Sequence, residues 1–336
     1  MDKLNPIVDS GLIFRPAWWL PGPHCQTVWR RLCGRDRNPS YRRERWETPD
    51  GDFLDLDWLE AESRPDSPLV LILHGLEGCS RARYVIGVLR EVAVRKWSGL
   101  AMNFRSCSGE LNRLPRFYHS GETEDLDFVA SRLTEQFPGR PIAIVGYSLG
   151  GNVLLKWLGE KGRTVPAEVR GAVAVSVPFN LEAAVQRIDR GHLRLYGRVF
   201  LRTLKPKALA KARQFPGLLD PAELASIRTF AEFDDYVTAP IHGFASGRDY
   251  WRRASSTPFL AEIQRPTLLI NACDDPFLGK EHLPWEAVSR SPVLQADFPK
   301  RGGHVGFVEG AWPGAASYWV DRRIVAFIES LISSAS

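Results

Sequence analysis

Gly146-Tyr147-Ser148-Leu149-Gly150 is the stretch that most constrains this chain. The apolar run Pro141-Ile142-Ala143-Ile144-Val145 before it reads as a buried strand. Gly151 to Leu158 after it reads as a helix. A strand that passes through G-x-S-x-G directly into a helix forms a nucleophile elbow, a sharp turn that lifts the serine Oγ above the sheet. The flanking residues must be glycines because side chains there would collide with the neighbouring strand and helix. With 28 glycines in 336 residues the five letters alone carry little weight, so the strand–helix context makes Ser148 the candidate nucleophile.

The rest of the chain alternates in the same way. Arg45-Trp46-Glu47-Thr48 and Phe53 to Trp58 flank Pro49-Asp50-Gly51, the pattern of a hairpin. Continuous apolar runs follow at Leu69 to Leu73, Leu100 to Phe104, Ile142 to Val145, Ala172 to Val175 and Thr267 to Ile270, with a weaker one at Val293 to Phe298. Such runs are expected of strands buried on both faces. Helical spacing appears in Val85, Val88, Leu89 and Val92, in Leu126, Val129 and Leu133, and in Ile324, Phe327, Ile328 and Leu331. Alternating β and α elements predict an α/β fold with a mostly parallel central sheet covered by helices on both faces.

The alternation breaks between about Phe179 and Glu262, where helical periodicity continues without a strong strand. That span is too long for a plain loop. It reads as a helical insertion over the C-terminal edge of the sheet, where open α/β folds bind ligands. The expected organisation is an N-terminal arm packed on the core over residues 1–45, a core over 46–180 and 262–336, and a helical cap over 181–261.

A serine hydroxyl needs a base to take its proton, and the base needs a carboxylate to fix its tautomer. Behind an elbow the chain order is serine, acid, histidine. Ile270-Asn271-Ala272-Cys273-Asp274-Asp275-Pro276-Phe277 places two aspartates just past a strand. Asp274 is the preferred acid, because one variable residue and then Pro276-Phe277 follow it; Asp275 is the alternative. Gly302-Gly303-His304 places a histidine in a glycine-rich loop after the last strand, and of seven histidines His304 alone has that placement. The oxyanion calls for two backbone donors. They are expected from the N–H of Leu149, next to the nucleophile, and of Leu76, in the His74-Gly75-Leu76-Glu77-Gly78 loop after the first parallel strand.

No apolar run approaches the length of a membrane span, and Met1 to Pro6 lacks the basic and apolar pattern of a secretory signal, so a cytoplasmic location is expected. Five irregularly spaced cysteines, with no C-x-x-C or H-E-x-x-H, suggest free thiols and no metal site. The net charge of +5 gathers in two stretches, Arg30 to Arg45 and Arg187 to Arg213. They read as solvated faces or as an attraction for anionic substrates or an anionic lipid surface. Without an aromatic-interleaved basic motif, nucleic-acid binding is not expected.

Several motifs go beyond these fold signals: His24-Cys25-Gln26-Thr27, His74 to Gly78, Asn103 to Glu110, Gly146 to Asn152, Phe233-Asp234-Asp235, Thr238 to Phe244, Asn271 to Phe277 and Gly302 to Phe307. Together they resemble the YheT-like branch of the α/β-hydrolase superfamily, relatives of the abhydrolase-domain lipid hydrolases, over almost the whole chain. Ser106 departs from the pattern, where similar sequences often carry glycine. The resemblance implies a serine ester hydrolase with Ser148 as nucleophile, Asp274 as acid and His304 as base, acting on small-molecule or lipid carboxylic esters. The chemistry implied requires no metal or organic cofactor. A lipase-like acylhydrolase and a non-catalytic binding protein of the same fold are the alternatives.

Overall fold

The computed structural model describes residues 12–34, 38–64 and 67–333. The reading of Met1 to Pro6 lies outside them, as do Arg35 and Arg37 of the first basic stretch. The strands of the main sheet are β1 (Tyr41–Glu47), β2 (Phe53–Leu59), β3 (Leu69–Leu73), β4 (Ser98–Asn103), β5 (Ile142–Tyr147), β6 (Val169–Val175), β7 (Thr267–Ile270) and β8 (Leu294–Asp297), and Val308–Glu309 pairs with Ser317–Tyr318 as a small second one. The main sheet has the order β1-β2-β4-β3-β5-β6-β7-β8. β1 and β2 are an antiparallel hairpin, β2 runs antiparallel to β4, and every pairing from β4 to β8 is parallel.

The helices are α1 (Gly22–Cys33), α2 (Arg83–Val94), α3 (Glu124–Gln136), α4 (Leu149–Lys161), α5 (Leu181–Ile188), α6 (Arg194–Gln214), α7 (Pro221–Ser226), α8 (Phe230–Phe233), α9 (Ala239–Ile241), α10 (Gly247–Ala254), α11 (Trp285–Arg290) and α12 (Trp319–Ser333). The side-chain period of two sorts the layers. Leu69, Leu71 and Leu73 of β3 pack with Leu126 and Leu133 of α3 and Leu154 of α4. Val70 and Ile72 face the other way, onto Val85 and Val88 of α2 and Ile324 and Phe327 of α12. All five β3 side chains are fully buried, as a strand covered on both faces requires.

The topology decides where a ligand can bind. β3 lies between β4 and β5, so successive connections leave it in opposite directions. Such a switch point opens a crevice beyond the strand C-termini. Leu73 pairs with Gly146, so the loop after β3 and the turn after β5 emerge side by side there.

The hairpin starts four residues earlier than the sequence pattern predicts. β1 carries Arg42, Arg43, Glu44 and Arg45, with no apolar alternation to mark it. Cross-strand charge pairs take that place: Arg43 grips Asp57 at 2.7 and 2.8 Å, and Arg45 grips Asp55 at 2.7 and 2.9 Å. Arg30 likewise pairs with buried Asp321. Part of the first basic stretch is therefore internal structure rather than a solvated face.

The second basic stretch also divides. Arg194, Arg198 and Arg202 of α6 face outward, but Lys211 is fully buried, with its ammonium on the carbonyls of Asn112 and Leu114. Lys207 points inward to Glu77 Oε1 at 2.9 Å. Between Leu181 and Ala254 the chain is helix and turn throughout, as its periodicity predicts.

Ser106, in the loop after β4, sits at φ +64°, the left-handed region that favours glycine. Asn112 holds it there, accepting from the Ser106 N–H and donating to Ser106 Oγ. Beside it, the buried Arg105 guanidinium meets Asp125 at 2.7 and 2.8 Å and Asp52 at 3.2 Å. Breaking a buried ion pair from one side costs about 3–5 kcal/mol. Arg105→Met is thus expected to lower the unfolding free energy measured in urea by about that amount, with the slope of the transition unchanged.

Candidate active site

Ser148 stands between β5 and α4 at φ +51° and ψ −116°, a conformation costly for any side chain. Strain of this kind is of order 1–3 kcal/mol and persists only where the surroundings over-determine it. Here the Ser148 N–H donates to Val175 O at 2.8 Å, and the Ser148 carbonyl accepts from Asn152 N at 3.0 Å to open the helix. The turn is so tight that a Cβ on Gly146 would lie 2.5 Å from Gly150 O, and one on Gly150 would lie 2.5 Å from His74 O. Asn152, fully buried, secures α4 further on: its amide donates to Ser120 O and Ala254 O and accepts from Ser256 N.

His304 reaches Ser148 from the loop after β8. Its Nε2 lies 3.0 Å from Ser148 Oγ, and its Nδ1 lies 2.8 Å from Asp275 Oδ2. The carboxylate can only accept, so the proton sits on Nδ1 and Nε2 is free to accept from the serine hydroxyl. The carboxylate is Asp275, not the expected Asp274. After β7 the chain turns with Asp275 N on Ala272 O, which swings Asp275 inward. Its other oxygen accepts from Phe277 N at 2.9 Å, and the residue is 1% exposed. Asp274 instead accepts from Gly303 N at 2.9 Å, bracing the histidine loop from outside. Burial, then the neighbouring Asp275 charge, raises the Asp274 carboxyl above its ordinary range. The signal lay one residue further on, since Asp275-Pro276-Phe277 is itself an acid, one residue and an apolar side chain. Phe277 packs edge-on to the imidazole, with ring centres 4.6 Å apart.

The loop after β3 is shaped by His74. Its ring accepts from Phe104 N at 3.1 Å and donates to Gly75 O at 2.7 Å. Burial lowers its pKa to about 4, so it is a neutral spacer and not a second base. Gly75 N donates to Tyr84 Oη, Glu77 N to Tyr118 Oη and Gly78 N to Gly75 O. Leu76 is thereby left as the loop amide without such a partner among the described residues. The Leu149 N–H, in the first turn of α4, has no intrahelical acceptor either. Both residues line the same cavity as Ser148 and His304.

That cavity encloses about 1100 Å³ counting its open mouth. Its walls are mainly apolar, and α5, α6 and α8 contribute Leu181, Val185, Phe200, Leu204, Phe230 and Phe233 to them. Lys207 and Glu77, paired with each other, are also in its lining. Among the described residues, no three His, Cys, Asp or Glu side chains gather as a metal site would need.

Sequence reasoning singled out His24-Cys25-Gln26-Thr27 without a task for it. The structure supplies one: α1 clamps the histidine loop. His304 N donates to Thr27 Oγ1 at 2.9 Å, while Gln26 accepts from Val308 N at 2.7 Å and donates back to Val308 O at 3.3 Å. The approach is close enough that a Cβ on Gly303 would lie 2.5 Å from Pro23 O.

Residues 68–311 match the family described as the alpha/beta hydrolase fold, and the chain belongs to that family. Within it, the chain is YheT-like. It is 40% identical to the Escherichia coli protein named "Putative esterase YheT" over 331 residues, 98% of this chain and 96% of that one. It is 29% identical to mouse Phospholipase ABHD3 over 97% of this chain and 80% of the relative. The Pyrococcus furiosus esterase Pf2001 superposes with a TM-score of 0.56 at 18% identity, covering 87% of this chain and 90% of that one, a likeness of fold.

Thr27→Val removes the acceptor of the His304 N–H while keeping the shape of the side chain. Leaving a donor unsatisfied costs about 1–3 kcal/mol. A loss of that size is expected in urea denaturation, together with a shifted His304 imidazole resonance by NMR.

Proposed function

We propose that this protein hydrolyses carboxylic esters through an acyl-enzyme. The observation that carries the reading is a single imidazole bridging Asp275 and Ser148 inside the apolar cavity. Ser148 Oγ attacks the ester carbonyl and passes its proton to His304 Nε2. Asp275 stabilises the imidazolium that forms. The oxyanion lies against the N–H groups of Leu76 and Leu149. His304 returns the proton to the leaving alcohol, then takes one from the water that releases the acid.

The apolar walls suit an acyl chain, and residues 181–261 serve as the cap that supplies most of them. The activity named for the mouse relative, a phospholipase, supports lipid esters as one substrate class. A second observation favours work at a lipid surface. Along the outer side of α6, Arg194, Arg198 and Arg202 stand beside Leu195 and Val199, two large apolar residues left exposed. Basic and apolar side chains together suit an anionic membrane surface. Replacing the three arginines by glutamate is expected to abolish cosedimentation with anionic liposomes; equal binding by both proteins would remove this second reading.

Ser148→Ala is expected to abolish both turnover of p-nitrophenyl esters and labelling by a fluorophosphonate. A folded wild-type protein that never labels would favour a non-catalytic binding role. Asp275→Asn is expected to lower kcat by about 10⁴, the loss seen when the base is held in the wrong tautomer. Asp274→Asn is expected to lose far less, and the reverse ranking would return the acid's role to Asp274.

A further inference from the structure

Two histidines that the proposed chemistry does not use form part of the cavity wall. His119 and His242 line the catalytic cavity on one side. They also line a separate surface cleft on the other, with Arg116, Glu122, Lys156, Glu160, Arg252 and Arg253. Their rings meet edge to face, with centres 4.5 Å apart. The two imidazoles are the side chains common to the apolar cavity and the polar cleft.

This partition is built to be uncharged. Burial drives the pKa of His242 to about 3, and burial followed by the neighbouring His242 drives that of His119 well below its ordinary value. Both rings are neutral near pH 7, so no ion pair has to break when they part. His119 accepts from Gly121 N at 3.1 Å through Nδ1, which fixes its own ring. His242 follows the three-residue α9 and precedes Gly243, at φ +70°. Just upstream, Asp234–Thr238 is a single π-helical turn, a feature often found at functional sites.

We infer that the cavity and the cleft are two halves of one substrate site, joined between His119 and His242, with the acyl chain in the apolar half and a hydrophilic alcohol in the polar half. The inference rests on the ester-hydrolase reading. In acylation the bond from Ser148 Oγ to the carbonyl carbon forms, the bond to the alcohol oxygen breaks, and His304 protonates that oxygen. The acyl chain then still fills the apolar half, so the freed alcohol departs on the polar side. The cleft also indicates which alcohols fit. Arg116 is paired with Glu122 and Glu124, Lys156 with Glu160, and Arg252 and Arg253 share Asp249, four cations against four carboxylates. With its charges already matched, the cleft favours an alcohol without net charge over an anionic one.

The test uses the full chain and octanoyl esters of ethanol, glycerol and glycerol phosphate, which differ only in the alcohol. His242→Trp, which fills the passage, is expected to lower the glyceryl-to-ethyl ratio of kcat/KM at least tenfold. Arg252→Glu with Arg253→Glu, on the outer rim, is expected to shift the glyceryl-to-glycerophosphate ratio, and this pair serves if the tryptophan variant fails to fold. A ratio that stays within twofold of wild type in the folded variants would overturn the inference. Failure of the underlying reading looks different: the wild-type protein would turn over none of the three esters and would resist fluorophosphonate.

Discussion

Everything at this site depends on the cost of holding Ser148 in a backbone conformation it would not choose. Strand β5 and helix α4 can meet at so sharp an angle only because Gly146 and Gly150 present no Cβ to the atoms pressed against them. The sheet register then does the rest. Because Leu73 pairs with Gly146, the loop after β3 lies beside the serine and can offer the Leu76 amide, which has no acceptor among the described residues. β7 and β8 deliver the carboxylate and the imidazole to the same edge. No component is precise alone; each is fixed by the strand that carries it.

The parts of this arrangement visible in the sequence are those written in short-range pattern. The apolar runs from Leu69 onward marked buried strands because both faces of the sheet are covered, and the glycines of the elbow marked the turn. Ser148 and His304 could be found because each sits in a glycine-rich frame. The same local pattern fits both Asp274 and Asp275, so choosing between them turned on the direction the chain takes after a turn. Adjacent residues there point to opposite sides, one to the imidazole and the other to the loop behind it.

Charged segments were harder still to read. β1 has the composition of a solvated stretch, yet Arg43 and Arg45 meet aspartates across the hairpin. Lys207 and Lys211 lie in a run of basic residues that looks exposed, yet they anchor α6 to the core through a carboxylate and two carbonyls. A charge can lie inside a protein when a partner is waiting, and partners distant in sequence leave no trace in local composition.

The grip of α1 on the histidine loop closes a circuit between the two ends of the chain. Thr27 and His304 are 277 positions apart, yet one hydrogen bond joins them. On the proposed reading, the order of synthesis then matters: an emerging polypeptide displays Ser148 long before His304 has been made, and the histidine loop meets α1 only after β8 is complete. A half-finished chain would carry the proposed nucleophile without the proposed base.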